Sequence, residues 1–599
     1  MGLALFFFGG DLQSFFEHFF VLALWISGIQ FLVLTLGALR FPRWVLALVP
    51  ALSLYLLFFF YLSAAIGNFS WGAVPTYTIV FRFLGQFPQI AEDFQMPPWS
   101  PPAFLALPLI AFVLFYLCKS RSLEVWTNRW LRDFRSQPRQ WRLTRIGVFT
   151  LGWVVGTALF IFADPNLTLL GNFNQDPVKG FLTANRTIFN MTPLRAHWGA
   201  LDRQAELSLR PKRPQVHNII LVIVDALRAD HLPAYGYDRP LTPFLSSLQR
   251  ASHFQKVDWC LANGTESAVG IMSILSSKEF PEISFLSYTL PDFMADNGVR
   301  DFLYLSGDHH WYNFRDSYGH KISLFLDGNS DPKGYSLDDD EALPQVLGGL
   351  PPDDGRPHFF YFHMMSVHEA GTLHSAYLHY QPARNFTRPD FRMHSKLPQD
   401  WSRDATNLYD DRILQADDVL KEILGVLKAK GYLGDYLLVF TADHGELLGE
   451  EGNYGHGHFV QTGILHTPLL FFSSRPLPAF AQSRFATELD IAPTLAELDG
   501  LTPPSTWQGQ SLLHPRSNPW TYHFSPSPWR EDRGAVVLYQ KGKVLEYSRL
   551  LMDSDSHPGN ELLMDLVKDP QGQENLIPMT DPGLLRRFRQ QALDHLIAR

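Results

Sequence analysis

Four apolar segments crowd the first 165 residues of this 599-residue chain: Phe19–Leu39, Trp44–Ile66, Trp99–Leu117 and Ile146–Phe162. A helix needs about 20 apolar residues to cross a bilayer, and the last two segments are at the short end of that range. Four such stretches in one terminal block are rare in soluble proteins, so the block is expected to form transmembrane helices. The rest of the chain has the composition of a water-soluble protein. This shift sets the expected organisation: an anchor over 1–165, a connector over 166–215, a globular domain over 216–519 and a closing subdomain over 520–599. The connector is rich in Asn, Pro, Arg and Thr and shows no clear period.

Charge assigns the sides. The first connection carries Arg40 and Arg43, and the third carries Lys119, Arg121, Arg129, Arg132, Arg135, Arg139, Arg142 and Arg145 against Glu124 and Asp133. The N-terminus and the second connection, Gly67–Pro98, hold almost no basic residues. Basic loops stay in the cytoplasm, so the expectation is a multi-pass protein of the cytoplasmic (inner) membrane. Everything after Ala163 then lies on the periplasmic or extracellular side. Met1–Gly10 is apolar but too short to cross, and it lacks the basic start of a signal peptide. Thr76–Ile90 reads equally as an interfacial helix with Arg82 at headgroup level or as an ordinary loop. The two cysteines, Cys118 and Cys260, fall on opposite sides and cannot pair, which excludes a disulfide framework and a cysteine metal site. A net charge of −9 argues against nucleic acid as a partner. Sequons begin at Asn68, Asn166, Asn185, Asn190, Asn263 and Asn385, and matter only in a host that glycosylates.

From Val216 strands and helices alternate. Asn218–Val224 is a continuous β-branched apolar run of the kind found in a buried parallel strand, and Asp301–Ser306, His358–Met364, Tyr436–Thr441 and Pro468–Phe472 are similar. Asn407–Lys430 has a helical pattern stopped by Gly431. The alternation predicts a doubly wound α/β domain. Near the end, Ala535–Tyr539 and Lys543–Ser548 flank a Lys541-Gly542 turn, which predicts a small antiparallel subdomain packed on the main sheet.

Ligands gather outside the carboxyl ends of strands in such folds. Asp225 follows the first strand, His368 follows His358–Met364, and Asp443-His444-Gly445-Glu446 follows Tyr436–Thr441. His456 and His458 lie a little beyond. Asp225 alone could be a helix cap, and His368 a satisfied loop histidine. Adjacent Asp443 and His444 are more specific, because paired oxygen and nitrogen donors suit Zn²⁺ or Mn²⁺. His309-His310 reads as a surface pair or a supporting one, with no metal assigned. Asn263-Gly264-Thr265 opens an apolar helix, where the Thr265 hydroxyl can be a cap or a nucleophile.

The run Val224–His231, taken with Asp443–Glu446, resembles the sulfatase branch of the alkaline phosphatase superfamily. Asp490-Ile491-Ala492-Pro493-Thr494-Leu495 and the stretch from Met564 to Leu576 are similar to later motifs of that branch, so the resemblance covers roughly Asn218 to Leu576. The sulfatase cysteine motif is absent after Cys260. Asn263–Val269, His363–His368 and Glu450–His456 instead look like the corresponding segments of membrane phosphoethanolamine transferases. Gly307–Asp316, with Arg315, looks like the phosphoglycerol-binding segment of lipoteichoic acid synthases. Ala226 stands where sulfatases commonly have a second Asp, and the transferase families typically show five spans rather than four.

The resemblance implies one divalent metal, Zn²⁺ or Mn²⁺, held by Asp225, Thr265, Asp443 and His444, with Thr265 as nucleophile. It further implies that His368, His456 and Arg315 contact the phosphate or leaving group. The implied partners are a phospholipid donor, an envelope glycan or lipid acceptor and the membrane itself. A sulfuric ester or phosphodiester hydrolase and a non-catalytic envelope lipid regulator are the competing expectations.

Overall fold

A computed structural model describes residues 12–71, 100–162, 189, 191–328, 338–369, 371–384, 399–457, 460–525, 533–550, 561–569 and 574–597. The expectations for Met1–Gly10, Thr76–Ile90, His458 and the sequons at Asn166, Asn185, Asn190 and Asn385 lie outside the described residues. The chain divides into two units, Met1–Arg186 and Thr187–Arg599.

In the first unit all four apolar segments are helical, over Leu12–Ala38, Arg43–Trp71, Ser100–Ser136 and Arg139–Phe162. Among the described residues, two stretches are long and apolar enough to cross a membrane: Arg43–Ala64 (22 residues, mean hydropathy 2.3) and Leu105–Ser136 (32 residues, mean hydropathy 1.5). The third helix continues beyond the expected span Trp99–Leu117. It runs on through the basic stretch because no Gly or Pro interrupts 118–136, and it stops just ahead of Pro138. The second and third helices pack together, with Phe58 and Phe112 edge to face at 6.2 Å.

The second unit is built on a seven-stranded sheet. Its strands are β1 (Asn218–Val224), β2 (His253–Lys256), β3 (Arg300–Leu305), β4 (Leu324–Leu326), β5 (His358–Met364), β6 (Tyr436–Thr441) and β7 (Leu469–Ser473). Their spatial order is β2-β7-β6-β1-β5-β3-β4. The central pairs are parallel, with β1 between β5 and β6. β7 runs antiparallel to β6, and β2 antiparallel to β7. The apolar run of β7 had predicted a strand like the others. A continuous apolar run reports burial on both faces, not direction.

Alternation along the strands divides the core in two. Ile219, Leu221 and Ile223 face one layer with Phe359, Tyr361, Leu437 and Val439. Ile220, Val222 and Val224 face the other with Phe360, Phe362, Leu438 and Phe440. Helices cover both layers, as a doubly wound fold requires. On the second face lies the long helix Gln399–Ala429, whose Tyr409, Ile413, Ala416, Leu420, Ile423 and Leu427 recur at helical spacing. It begins earlier than the expected Asn407. It ends as predicted: Gly431 takes φ +95° and Tyr432 N–H donates to the Leu427 carbonyl at 2.9 Å. On the first face lie the helices Ser267–Ser276 and Ile491–Leu498.

Two expectations are corrected. The connector holds a helix, Pro193–Ser208, capped by Thr192 and started by Pro193, and its buried Asp202 pairs with Lys278 at 3.2 Å. Partners distant in sequence, invisible to local periodicity, stabilise it. The C-terminal sheet (Trp520–Ser525, Arg533–Gln540, Lys543–Leu550, Leu562–Asp565) is antiparallel as predicted. Positive φ at Lys541 and Gly542 makes the hairpin turn. Its inner face, however, packs on a short sheet of Trp259–Leu261, His466–Thr467 and Phe485–Thr487 rather than on the main one.

Glu546 is fully buried in that inner face, opposite Val537 and Met564, and neither carboxylate oxygen has a hydrogen-bond partner. Burial pushes its pKa up to about 8. Between the ordinary value and about 8 the folded chain holds a proton that the unfolded chain has lost, so stability falls as pH rises through that window. The slope is at most about 1.4 kcal/mol per pH unit. Glu546→Gln removes it: the Tm difference between variant and parent is expected to grow from pH 5 to pH 8, and a constant difference would contradict the assignment.

Candidate metal and catalytic centre

β1 and β6 are neighbours and parallel, so their carboxyl ends deliver Asp225 and Asp443 side by side. Directly after Asp225 the backbone turns sharply: Ala226 has φ +62°, a left-handed conformation costing about 1–2 kcal/mol in a residue with a Cβ. Two contacts enforce it. Ala226 N–H donates to Asp443 Oδ1 at 3.3 Å, and the Tyr409 hydroxyl donates to the Ala226 carbonyl at 2.6 Å. The helix Ser267–Ser276 approaches the same point so closely that a Cβ on Gly270 would sit 2.0 Å from the Asp443 carbonyl oxygen. Glycine is required there by contact with backbone.

Five groups converge. The His444 Nε2 atom lies 3.6 Å from Asp225 Oδ1 and 3.8 Å from Asp443 Oδ2. His363, on β5, brings Nε2 to 3.7 Å from Asp225 Oδ2 and 4.0 Å from Asp443 Oδ2. The Ser267 hydroxyl donates to Asp225 Oδ2 at 3.1 Å and is 3.2 Å from His444 Nε2. His444 Nδ1 donates to the Gly445 carbonyl at 2.9 Å, which leaves the Nε2 lone pair facing inward.

Asp225 Oδ1, Asp443 Oδ2 and His363 Nε2 are all buried without hydrogen-bond partners. Orphaned donor atoms of this kind are costly unless something positive sits among them. Their spacings are slightly wider than the ~3.4 Å between ligand atoms around a tetrahedral zinc. The donor set therefore fits a divalent cation. Burial, then the Asp443 carboxylate, pushes Asp225 well above the usual carboxylate range. Burial also opposes ionisation of Asp443, but His444 and His363 hold it low.

A second arc of imidazoles adjoins. The His456 ring lies 4.3 Å from that of His444 and 5.1 Å from that of His368, between centroids. His456 Nδ1 pairs with Glu446 at 3.1 Å, and burial raises Glu446 to about 8. Burial, then His456, pushes the His368 imidazole well below its ordinary value, so it is neutral at pH 7. Two arginines set these loops. Arg228 donates to the Glu446 carbonyl at 2.9 Å and binds Asp230 and Glu450. Arg412 donates to the carbonyls of Ser366, His368 and Gly371 at 2.9, 2.8 and 2.7 Å.

The structure thus brings together Asp225, Asp443, His444, His456 and His368. His363 and Ser267 were not selected from the sequence. His363 stands penultimate in its strand, on the edge that carries Asp225, and that position is the signal that was available. Thr265 is placed differently from expectation. The helix starts at Ser267 after an extended Glu266, so the hydroxyl touching Asp225 and His444 is that of Ser267. The Thr265 hydroxyl is buried without a hydrogen-bond partner, and its carbonyl accepts from Gly457 N–H at 2.7 Å. Arg315 donates to the Gly319 carbonyl at 3.4 Å and lies 4.0 Å from the Phe325 ring centroid. His309 is buried behind the site, its ring 4.8 Å from that of His363, with burial lowering it to about 3. Asn263 is buried, its amide donating to the Tyr522 carbonyl at 3.1 Å, so that sequon offers no glycosylation site.

Asp443→Asn leaves the packing but halves the anionic charge, and should lower the metal content measured by elemental analysis by about one ion per chain. Gly270→Ala pushes the helix off the Asp443 backbone. It should cost about 1–3 kcal/mol by denaturant unfolding and lower metal content with it. Unchanged metal content in both variants would rule out this centre.

Known proteins resemble this chain in sequence and in fold. A family model described as Sulfatase matches residues 217–501. Arylsulfatase K of Xenopus laevis is 34% identical over 182 residues, 29% of this chain and 34% of that protein. Phosphatidylethanolamine transferase Mcr-1 of Escherichia coli is 22% identical over 327 residues, 50% of this chain and 57% of that protein. The matches thus span from about a third to somewhat over half the length of these relatives. The solved structure of BT4656 in complex with its substrate D-glucosamine-2-N,6-O-disulfate superposes with a TM-score of 0.51 at 14% identity, over 64% of this chain and 97% of that one, a likeness of fold. The chain carries a domain of the sulfatase/alkaline phosphatase superfamily, related to both the arylsulfatases and the phosphoethanolamine transferases.

Proposed function

We propose that this protein is a membrane-anchored, metal-dependent transferase. It moves a phosphoethanolamine or phosphoglycerol headgroup from a phospholipid to an envelope glycan or lipid, through a covalent phospho-hydroxyl intermediate. The observation that carries the reading is the Ser267 hydroxyl, 3.1 Å from Asp225 and 3.2 Å from His444 Nε2 at the start of a buried helix. Ser267, rather than Thr265, is therefore the proposed nucleophile. Asp225, Asp443, His444 and His363 would hold the metal, Zn²⁺ or Mn²⁺. When bound, a divalent ion polarises a phosphoryl oxygen and makes a nearby hydroxyl more acidic.

The chain's own groups account for the rest. Ser267 Oγ attacks phosphorus as its proton leaves toward Asp225 Oδ2, the carboxylate oxygen its hydroxyl contacts. The phosphorus–oxygen bond to the diacylglycerol breaks, and the Glu446–His456 pair, joined at 3.1 Å, returns a proton to the departing alkoxide. The acceptor alcohol then attacks phosphorus. Its proton passes to the neutral imidazole, and the Ser267–phosphorus bond breaks as Ser267 Oγ is reprotonated. The N-terminus of the Ser267–Ser276 helix favours the negative phosphoryl group throughout. The apolar N-terminal helices, with basic connections kept in the cytoplasm, support a multi-pass anchor that leaves the domain on the extracytoplasmic side. Such an anchor keeps the site near lipid headgroups.

Hydrolysis of a sulfuric ester is the second reading, favoured by the arylsulfatase relatives. The missing cysteine motif after Cys260 weighs against it. Mass spectrometry after exposure to phospholipid should find a phospho-headgroup adduct on Ser267. Ser267→Ala should lose the adduct and lower transfer about a thousandfold or more, whereas Thr265→Ala should keep the adduct. An adduct on Thr265 would reverse the choice of nucleophile, and turnover of an aryl sulfate without any adduct would favour the hydrolase.

A further inference from the structure

At the opposite, amino edge of the same sheet lies a second cluster of donors. His358 opens β5, His217 precedes β1, and Asp353 and Asp354 lie in the loop leading into β5. One ligand atom each from Asp353, Asp354 and His358 falls within 4.8 Å of the others. This group shares no residue with the centre formed around Asp225 and Asp443.

The tautomer of His358 is fixed by a chain of partners. Asn218 Nδ2 donates to the Tyr432 carbonyl at 2.7 Å, so its amide oxygen is the end turned to His358. That oxygen lies 3.2 Å from His358 Nδ1, which must donate. The remaining nitrogen, Nε2, then carries a lone pair. It is buried and has no hydrogen-bond partner, in a residue 1% exposed, and it faces Asp354 Oδ1 at 3.6 Å. A lone pair facing a carboxylate oxygen is repulsive unless a positive species lies between. A proton on Nε2 would serve, but 3.6 Å is too long for that hydrogen bond. The ring cannot turn away, because Phe302 stacks on it at 5.5 Å and Tyr432 meets it edge-on at 5.0 Å.

The surroundings prepare the carboxylates. Asp353 accepts from His217 Nε2 at 3.0 Å and from Gly355 N–H at 2.9 Å, which holds it in place. Asp354 Oδ1 accepts from Arg356 N–H at 3.1 Å. Its Oδ2 is engaged by Arg300 at 3.0 Å, with Arg356 Nε at 3.7 Å, so Oδ1 is the oxygen left toward His358. We propose that Asp353, Asp354 and His358 form a second divalent-cation site of the zinc class, with His217 orienting Asp353. One imidazole and two carboxylates are the donor set of such ions, and the half-exposed loop leaves remaining positions to water. Bound there, the ion ties the loop 351–357 to the amino ends of β1 and β5, a structural role separate from the reacting centre.

The test uses full-length, tag-free protein carrying Asp443→Asn, stripped with chelator and titrated with zinc. Elemental analysis should find about one zinc retained per chain, and Tm should rise on zinc addition. Adding Asp354→Asn should remove that zinc and most of the Tm rise. His358→Gln should do the same where it folds, and the exposed Asp354 carries the test where it does not. Equal zinc content and an equal Tm rise with and without Asp354→Asn would overturn the proposal, as would no zinc bound to the Asp443→Asn parent.

Discussion

Two carboxylates, Asp225 and Asp443, are buried side by side at the carboxyl edge of the sheet, and the rest of the centre is arranged around their mutual repulsion. Two like charges within 4.8 Å of each other cost roughly 3 kcal/mol or more at the effective dielectric of a protein site. Desolvating each adds more. A fold does not accumulate that cost at one point unless something offsets it. The inward lone pair of His444, the unpartnered His363 and the Ser267 hydroxyl all point at the same small volume. A cation there turns every one of these unfavourable contacts into a favourable one.

The backbone is committed to the same end. Left-handed Ala226 aims its N–H at Asp443, and Gly270 lets a helix touch the Asp443 carbonyl. Arg228 and Arg412 spend most of their donors on backbone carbonyls and carboxylates of the loops that carry His444, His456 and His368. Both layers of the core are filled by alternating strand residues and the helices that cover them. The core supplies rigidity, and the arginines tie the loops of the site to it.

Much of this was legible in the sequence because strand ends are. A β-branched apolar run followed by Asp, and another followed by Asp-His-Gly, locate Asp225 and Asp443-His444 without knowing which strands are neighbours. Three features were not legible. The direction of β7 depends on its connection and not on its composition. The helix Pro193–Ser208 depends on Lys278 and Tyr288, which are distant in sequence. The choice between Thr265 and Ser267 turns on where the first helical turn begins, and element boundaries are the weakest product of pattern reading. The extended Glu266 moves the helix start two residues past Thr265, and with it the hydroxyl that meets the carboxylates.

The two edges of the sheet show how one architecture makes two kinds of site. At the carboxyl edge, strands feed into loops and helix N-termini, which offer N–H groups and suit an anionic phosphoryl group beside a cation. At the amino edge, strands are entered from loops whose Asp353 and Asp354 carry negative charge, and no helix N-terminus contributes to that cluster among the described residues. The first edge can therefore bind a cation and an anion together, which chemistry on a phosphodiester needs. The second suits a cation alone. That difference supports the proposed division, with reaction at Asp225, Asp443 and Ser267 and a structural role at Asp353, Asp354 and His358, although both groups present the same donor atoms.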